Sequence, residues 1–185
     1  RRRSVSGGKE GMRLIMKNNI ELKNVCKKYS GFELKNISFN VPQGCIVGLI
    51  GENGAGKTTT IKSILNITNS SGSIKIFGKD IKQNETEVKK DIGVVLDDSF
   101  LSEYLTARQV NSIMKDIYKT WNEGKYKSYL KKFNLPENKL IKDFSSGMKM
   151  KLKIITAIAH SPKLLILDEP TSGLDPVVRN EILDI

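Results

Sequence analysis

The stretch Gly51-Glu52-Asn53-Gly54-Ala55-Gly56-Lys57-Thr58 constrains this chain more than any other. Its spacing is GxxxxGK[ST], in which glycines let successive backbone N–H groups turn inward around phosphate oxygens. The pattern has that meaning only between a strand and a helix, and both are predicted here. Residues 45–50 are almost continuously apolar and read as a central buried strand. Residues 58–67 place Ile61, Ile64 and Leu65 at helical spacing. A helix starting there adds the partial positive charge of its N-terminus. Lys57 then suits the β- and γ-phosphates of a nucleotide and the Thr58 hydroxyl suits Mg²⁺, with Thr59 continuing the loop into the helix. The chain has no NKxD tetrapeptide, which favours adenine over guanine.

The rest of the chain alternates strands with helices. Residues 20–28 and 35–41 alternate apolar and polar, as half-buried strands do, with Pro42-Gln43-Gly44 as a turn after them. Residues 73–77 and 92–96 read as further short strands. Thr106-Ala107-Arg108-Gln109 fits a capping box opening a helix to about Lys119, and 122–133 reads as another. Ser145 is placed to cap a helix running to about His160, and Pro176 to start one reaching Ile185. The expected class is α/β: a mainly parallel core sheet, an antiparallel β portion at the N-terminal end and a helical subdomain near 98–144.

A second constellation follows from residues 164–169, Leu-Leu-Ile-Leu-Asp-Glu. In an open parallel sheet the strand C-terminal ends face the ligand crevice, so Asp168 and Glu169 are delivered towards the phosphates. Adjacent strand residues point to opposite sides, which separates their roles. Asp168 suits metal coordination and Glu169 suits a general base acting on water.

Composition narrows the function classes. No apolar run approaches the roughly 20 residues of a membrane-spanning helix. The formal net charge is +11, but the lysines are scattered and not interleaved with aromatics, so no nucleic-acid partner is expected. The opening Arg1-Arg2-Arg3, with the Ser- and Gly-rich stretch after it, reads as a disordered or non-native tail over 1–15. Cys26 and Cys45 have no CxxC partner and sit in apolar runs, so both are expected to be buried free thiols.

Four further stretches resemble the ABC ATPase family, in the family's order. Phe144-Ser145-Ser146-Gly147-Met148 stands where the signature LSGGQ belongs, keeping Ser145 and Gly147. Residues 164–175, LLILDEPTSGLD, are similar to the Walker B strand and the run through the D-loop, ending at Asp175. Tyr29 stands where the family carries an aromatic stacked on adenine. At the end of the 92–96 strand, Asp97 occupies the place of a family glutamine that contacts Mg²⁺. The Lys149-Met150-Lys151 after the signature looks like the variant seen in many bacterial exporter-type ATPases, and the resemblance covers roughly 20–185.

The resemblance implies an ATPase using ATP and Mg²⁺, with Glu169 catalytic and Thr58, Asp168 and Asp97 at the metal. It implies two such domains meeting head to tail, Ser145, Ser146 and Gly147 of one facing the ATP of the other. It further implies a membrane-spanning permease partner and a peripheral position on the cytoplasmic face of the membrane. A soluble, non-transport ABC ATPase and a non-hydrolysing nucleotide module are the alternatives. The family places a histidine on a later strand. None follows Asp175 here, so the chain is expected to be cut short, binding ATP better than it hydrolyses it.

Overall fold

The computed structural model describes residues 17–96 and 101–172, together with Pro176 and Asn180. The expectations for the tail over 1–15, for Asp97 and for Asp175 lie outside the described residues, as does most of the helix expected over 176–185.

Strands β1 (Asn18–Tyr29) and β2 (Phe32–Pro42) form an antiparallel hairpin closed at Tyr29↔Phe32. Strand β3 (Ser71–Ile76) joins the other side of β1, and β4 (Lys79–Asp80) pairs with β3, giving the order β2-β1-β3-β4. Cross-strand register sets Ile20 against Ile76 and Leu22 against Ile74. Strand period 2 then puts these four on one face. They pack with Ile61, Ile64 and Leu65, contributed by helix α1 (Lys57–Ile64) and the residue after it. Burial of this apolar face fixes α1 against the antiparallel sheet.

The short helix α2 (Glu85–Lys89) leads into β5 (Ile92–Val95), which pairs in parallel with β6 (Leu164–Leu167). Helix α5 (Ser146–Ile158) lies so close to β5 that a Cβ on Gly93 would stand 2.4 Å from the Ala157 carbonyl oxygen. Only glycine permits that approach.

Between the two parallel strands, the described chain forms α3 (Ala107–Ile117), α4 (Glu123–Lys132) and a 3₁₀ turn at Ile141–Asp143. These gather with α5 around a second core that includes Tyr126, Leu130, Phe144, Leu152 and Ile155. The buried Tyr126 hydroxyl donates to the Ala107 carbonyl at 3.0 Å, so its polar end is satisfied. The capping box forms as predicted: the Gln109 N–H donates to Thr106 Oγ1 at 3.2 Å, and the Thr106 N–H donates to Gln109 Oε1 at 2.9 Å.

Two expectations fail. Residues 45–50 form no strand. Ile46 and Ile50 are fully exposed, at 103% and 100%. Cys45 is exposed and Cys26 only partly buried, which corrects the reading of two buried thiols. An apolar run favours burial but becomes a strand only when neighbours take its N–H and C=O groups. Among the described residues β6 pairs with β5 alone, and its Leu165 and Leu167 stay partly exposed.

Candidate functional site

The glycine-rich loop opens into α1 through Gly56, whose φ of 94° lies in the left-handed region. Two independent constraints demand glycine there. Left-handed backbone disfavours a Cβ. A Cβ at this position would also lie 2.8 Å from Phe32 Cζ and 3.0 Å from Leu34 Cδ1. The Gly56 carbonyl accepts from the Thr60 N–H at 2.8 Å and from Thr60 Oγ1 at 2.9 Å, so the first turn of α1 is anchored at this residue. No side chain caps the helix, and its first turn holds no acid. Its leading N–H groups are therefore oriented for an anion.

Lys57 folds back over the loop. Its Nζ donates to the Gly51 carbonyl at 2.9 Å and to the Glu52 carbonyl at 3.1 Å. It also stands 3.8 Å from the Glu169 carboxylate. The loop and the end of β6, far apart in sequence, thus meet in space. Both predicted groups, the cation at the phosphates and the candidate base, occupy one site.

At the end of β6 the Asp168 N–H donates to the Val95 carbonyl at 2.8 Å, continuing the parallel ladder. The side chain is buried, 3% exposed, and its Oδ2 has no hydrogen-bond partner among the described residues. A buried carboxylate oxygen without a donor is costly unless a cation completes it. That vacancy of partners fits a divalent cation of the magnesium type, whose ligands are hard oxygens. Thr58 is the second residue of α1, directly after Lys57.

Glu169 itself has φ 47° and precedes Pro170. A left-handed non-glycine residue before proline is strained. Ser172 N–H holds the turn by donating to the Glu169 carbonyl at 3.1 Å. Such strain at a strand end is typical of positions where a side chain must be aimed.

The other predicted residues lie at two places. Tyr29, 44% exposed, bonds through its hydroxyl to Thr68 Oγ1 at 3.0 Å, with Lys27 Nζ 5.0 Å from its ring centre. Ser145, Ser146 and Gly147 start α5. Ser145 Oγ accepts from the Met148 N–H at 3.2 Å, while Ser145 and Ser146 remain exposed. His160 is buried at the far end of this segment. It stacks on Tyr118 at 4.1 Å, and its Nε2 donates to the Ile92 carbonyl at 3.2 Å.

Sequence reasoning missed Phe32 and Leu34, which wall Gly56. Period 2 in β2 places the two on one face, a signal that was available, but nothing in the sequence said which face meets the loop.

The fold and site define a nucleotide-binding α/β domain built on a phosphate loop and an acid-tipped parallel strand. A family model described as "ABC transporter" matches residues 34–172, and the chain belongs to that family of ATPases. It is 35% identical over 173 residues to the bacitracin transport ATP-binding protein of Enterococcus faecalis, covering 91% of this chain and 56% of that protein. It is 33% identical over 174 residues to the daunorubicin/doxorubicin resistance ATP-binding protein of Streptomyces peucetius, covering 90% and 52%. A solved structure of an ATP-binding subunit of an ABC transporter superposes with a TM-score of 0.78 at 31% identity, covering 89% of this chain and 72% of that one. The chain spans about half the length of these two curated relatives.

Proposed function

We propose that the protein carrying this chain is the ATP-binding and ATP-hydrolysing subunit of an ABC transporter, of the exporter type. The observation that carries the reading is the meeting of Lys57 with Glu169 at 3.8 Å, beside the buried, partner-poor Asp168 carboxylate. Gly51, Glu52, Asn53, Gly54, Ala55, Gly56, Lys57, Thr58 and Thr59 cradle the phosphates of ATP, and Tyr29 offers a ring to the adenine. Thr58 and Asp168 would hold Mg²⁺, with Asp97 as a third oxygen source. Bound there, the ion would neutralise charge on the β- and γ-phosphates.

Arrival of ATP gives Lys57 stronger partners than the Gly51 and Glu52 carbonyls, because phosphate oxygens carry full charge. Lys57 then moves away from Glu169, whose freed carboxylate accepts a proton from the attacking water. A second ABC ATPase subunit, identical or related, would complete the site by presenting its residues equivalent to Ser145, Ser146 and Gly147 to the γ-phosphate. The Ser145 hydroxyl accepts from the backbone and keeps its own proton for that anion. Closure around ATP and release after hydrolysis would drive a permease chain at the cytoplasmic face of a membrane. The names of the relatives, for bacitracin transport and daunorubicin/doxorubicin resistance, support export.

Glu169→Gln in the full-length protein tests this. The substitution keeps shape and removes basicity, so ATP should still bind while phosphate release falls about 100-fold or more. An ATP-stabilised dimer should accumulate on size exclusion. Turnover at the wild-type rate would place the base elsewhere.

A further inference from the structure

Phe32 belongs to no motif, and the family match begins two residues after it. Yet its ring is among the nearest neighbours of the residue that opens the phosphate-binding helix, with Cζ 2.8 Å from the Cβ position of Gly56. Leu34, on the same face of β2, comes within 3.0 Å of that point. Leu34 is buried and Phe32 partly so. Thr60 binds the Gly56 carbonyl through both its N–H and its hydroxyl. Gly56 is thus held at its carbonyl and crowded at its Cα.

The grip matters because of the residue held. Glycine populates positive and negative φ about equally, so Gly56 has no intrinsic reason to stay at 94°. Its conformation decides where the first N–H groups of α1 point. The β1–β2 hairpin holds the helix segment at both ends. Phe32 bears on Gly56 before the helix, and its register partner Tyr29 bonds Thr68 beyond the helix end.

We infer that Phe32 is a positioning residue of the phosphate site: its ring holds Gly56 in the left-handed conformation that aims the α1 N–H groups at one phosphate. The inference rests on reading Gly51–Thr58 as a nucleotide site. It differs from a base contact in a testable way, because a pre-set loop helps any polyphosphate, whereas a stacked ring helps only a ligand with a base. Removing the ring lowers the fraction of loop in the binding-competent form, and apparent affinity falls with that fraction.

The experiment is calorimetric titration of the full-length protein with MgATP and, separately, with inorganic tripolyphosphate. Phe32→Ala should weaken both ligands alike, by roughly fivefold. Phe32→Leu should recover most of the loss, and Phe32→Val should fall between. Phe39→Ala, on the same strand but packed in the main core, should lower the melting temperature and leave both affinities unchanged. If Phe32→Ala does not fold, the ordering of the Val and Leu variants decides. Unchanged affinities, a loss confined to ATP, or an equal loss in Phe39→Ala would each overturn the inference. Lys57→Ala run alongside separates the two levels. If it keeps tripolyphosphate binding, the nucleotide reading itself fails; if it loses binding while Phe32→Ala does not, only the role of Phe32 does.

Discussion

Helices α1 and α5 begin in opposite ways. Helix α1 starts from a left-handed glycine, with no side chain closing its first turn. Helix α5 starts from Ser145, whose hydroxyl takes the Met148 N–H at 3.2 Å. The pattern extends across the described residues. Thr106 caps α3, and Asn122 caps α4 by accepting from the Lys125 N–H at 2.8 Å. Helix α2 lacks a side-chain cap but carries Glu85 and Glu87 in its first turn. Helix α1 has neither device. A protein normally satisfies the orphan N–H groups of a helix start from within. Leaving one start open, with a lysine on it and the Glu169 carboxylate 3.8 Å from that lysine, suits those donors to an anion from outside. The closed start at Ser145 is built for stability first, and any role towards phosphate uses only the hydroxyl proton left over.

Lys57→Ala breaks the comparison most severely. The open start would keep its N–H groups but lose its cation, and MgATP affinity should fall about 100-fold or more. Folding should barely change, since among the described residues Lys57 bonds carbonyls of its own exposed loop and approaches the half-exposed Glu169 carboxylate. Calorimetric titration showing unchanged affinity would reduce the loop to a structural turn.

Gly56→Ala comes next. It forces a Cβ into left-handed backbone and against Phe32 and Leu34. The cost should be about 1–3 kcal/mol of stability, read by urea denaturation. Nucleotide binding should weaken as well. An alanine variant as stable as the wild type would mean that Gly56 readily leaves its φ of 94°.

Ser145 sharpens the contrast from the closed side. Ser145→Ala removes the cap and should cost about 1 kcal/mol. Ser145→Asp keeps an acceptor for the Met148 N–H and adds favourable charge at the helix start, so stability should hold. In the proposed head-to-tail dimer that charge would face the phosphate of a partner-bound ATP and should abolish ATP-driven dimerisation. A Ser145→Asp protein that dimerises normally with ATP would confine this helix start to a structural role.

The smallest effect lies beyond the C-terminal end of α5. Burial pushes the His160 pKa below its ordinary value of 6.5, against weaker opposing effects of the Ile92 carbonyl and the Asp91 carboxylate. The unfolded chain therefore takes up a proton before the folded one does. The stability contributed by neutral His160 is fully present above about pH 6.5 and is lost as pH falls through that value towards the folded pKa. Thermal melting should show the decline in mild acid, and His160→Gln should flatten it. An unchanged slope in the variant would assign the acid sensitivity to other groups.

Much of this was legible before any coordinates. The capping box at Thr106 and the cap at Ser145 are local devices, decided within three residues by hydrogen bonds the side chains carry with them. Strands β5 and β6 were each legible as short apolar runs, although their pairing with one another was not. Residues 45–50 carried the same kind of signal and misled, because apolar character alone cannot supply a ladder partner.

The sequence by itself determined that a glycine-rich loop would open a helix here, that Asp168 and Glu169 would end an apolar strand, and that Thr106 and Ser145 would cap helices. These follow from steric freedom at glycine, from strand period and from short-range hydrogen bonding. Only the tertiary structure decided that Lys57 and Glu169 stand within 3.8 Å, that one oxygen of Asp168 is buried without a partner among the described residues, and that Phe32 closes on Gly56. Each depends on residues distant along the chain being brought together. Such meetings are set by how the antiparallel sheet, α1 and the parallel pair bury their apolar faces, and burial is indifferent to sequence separation.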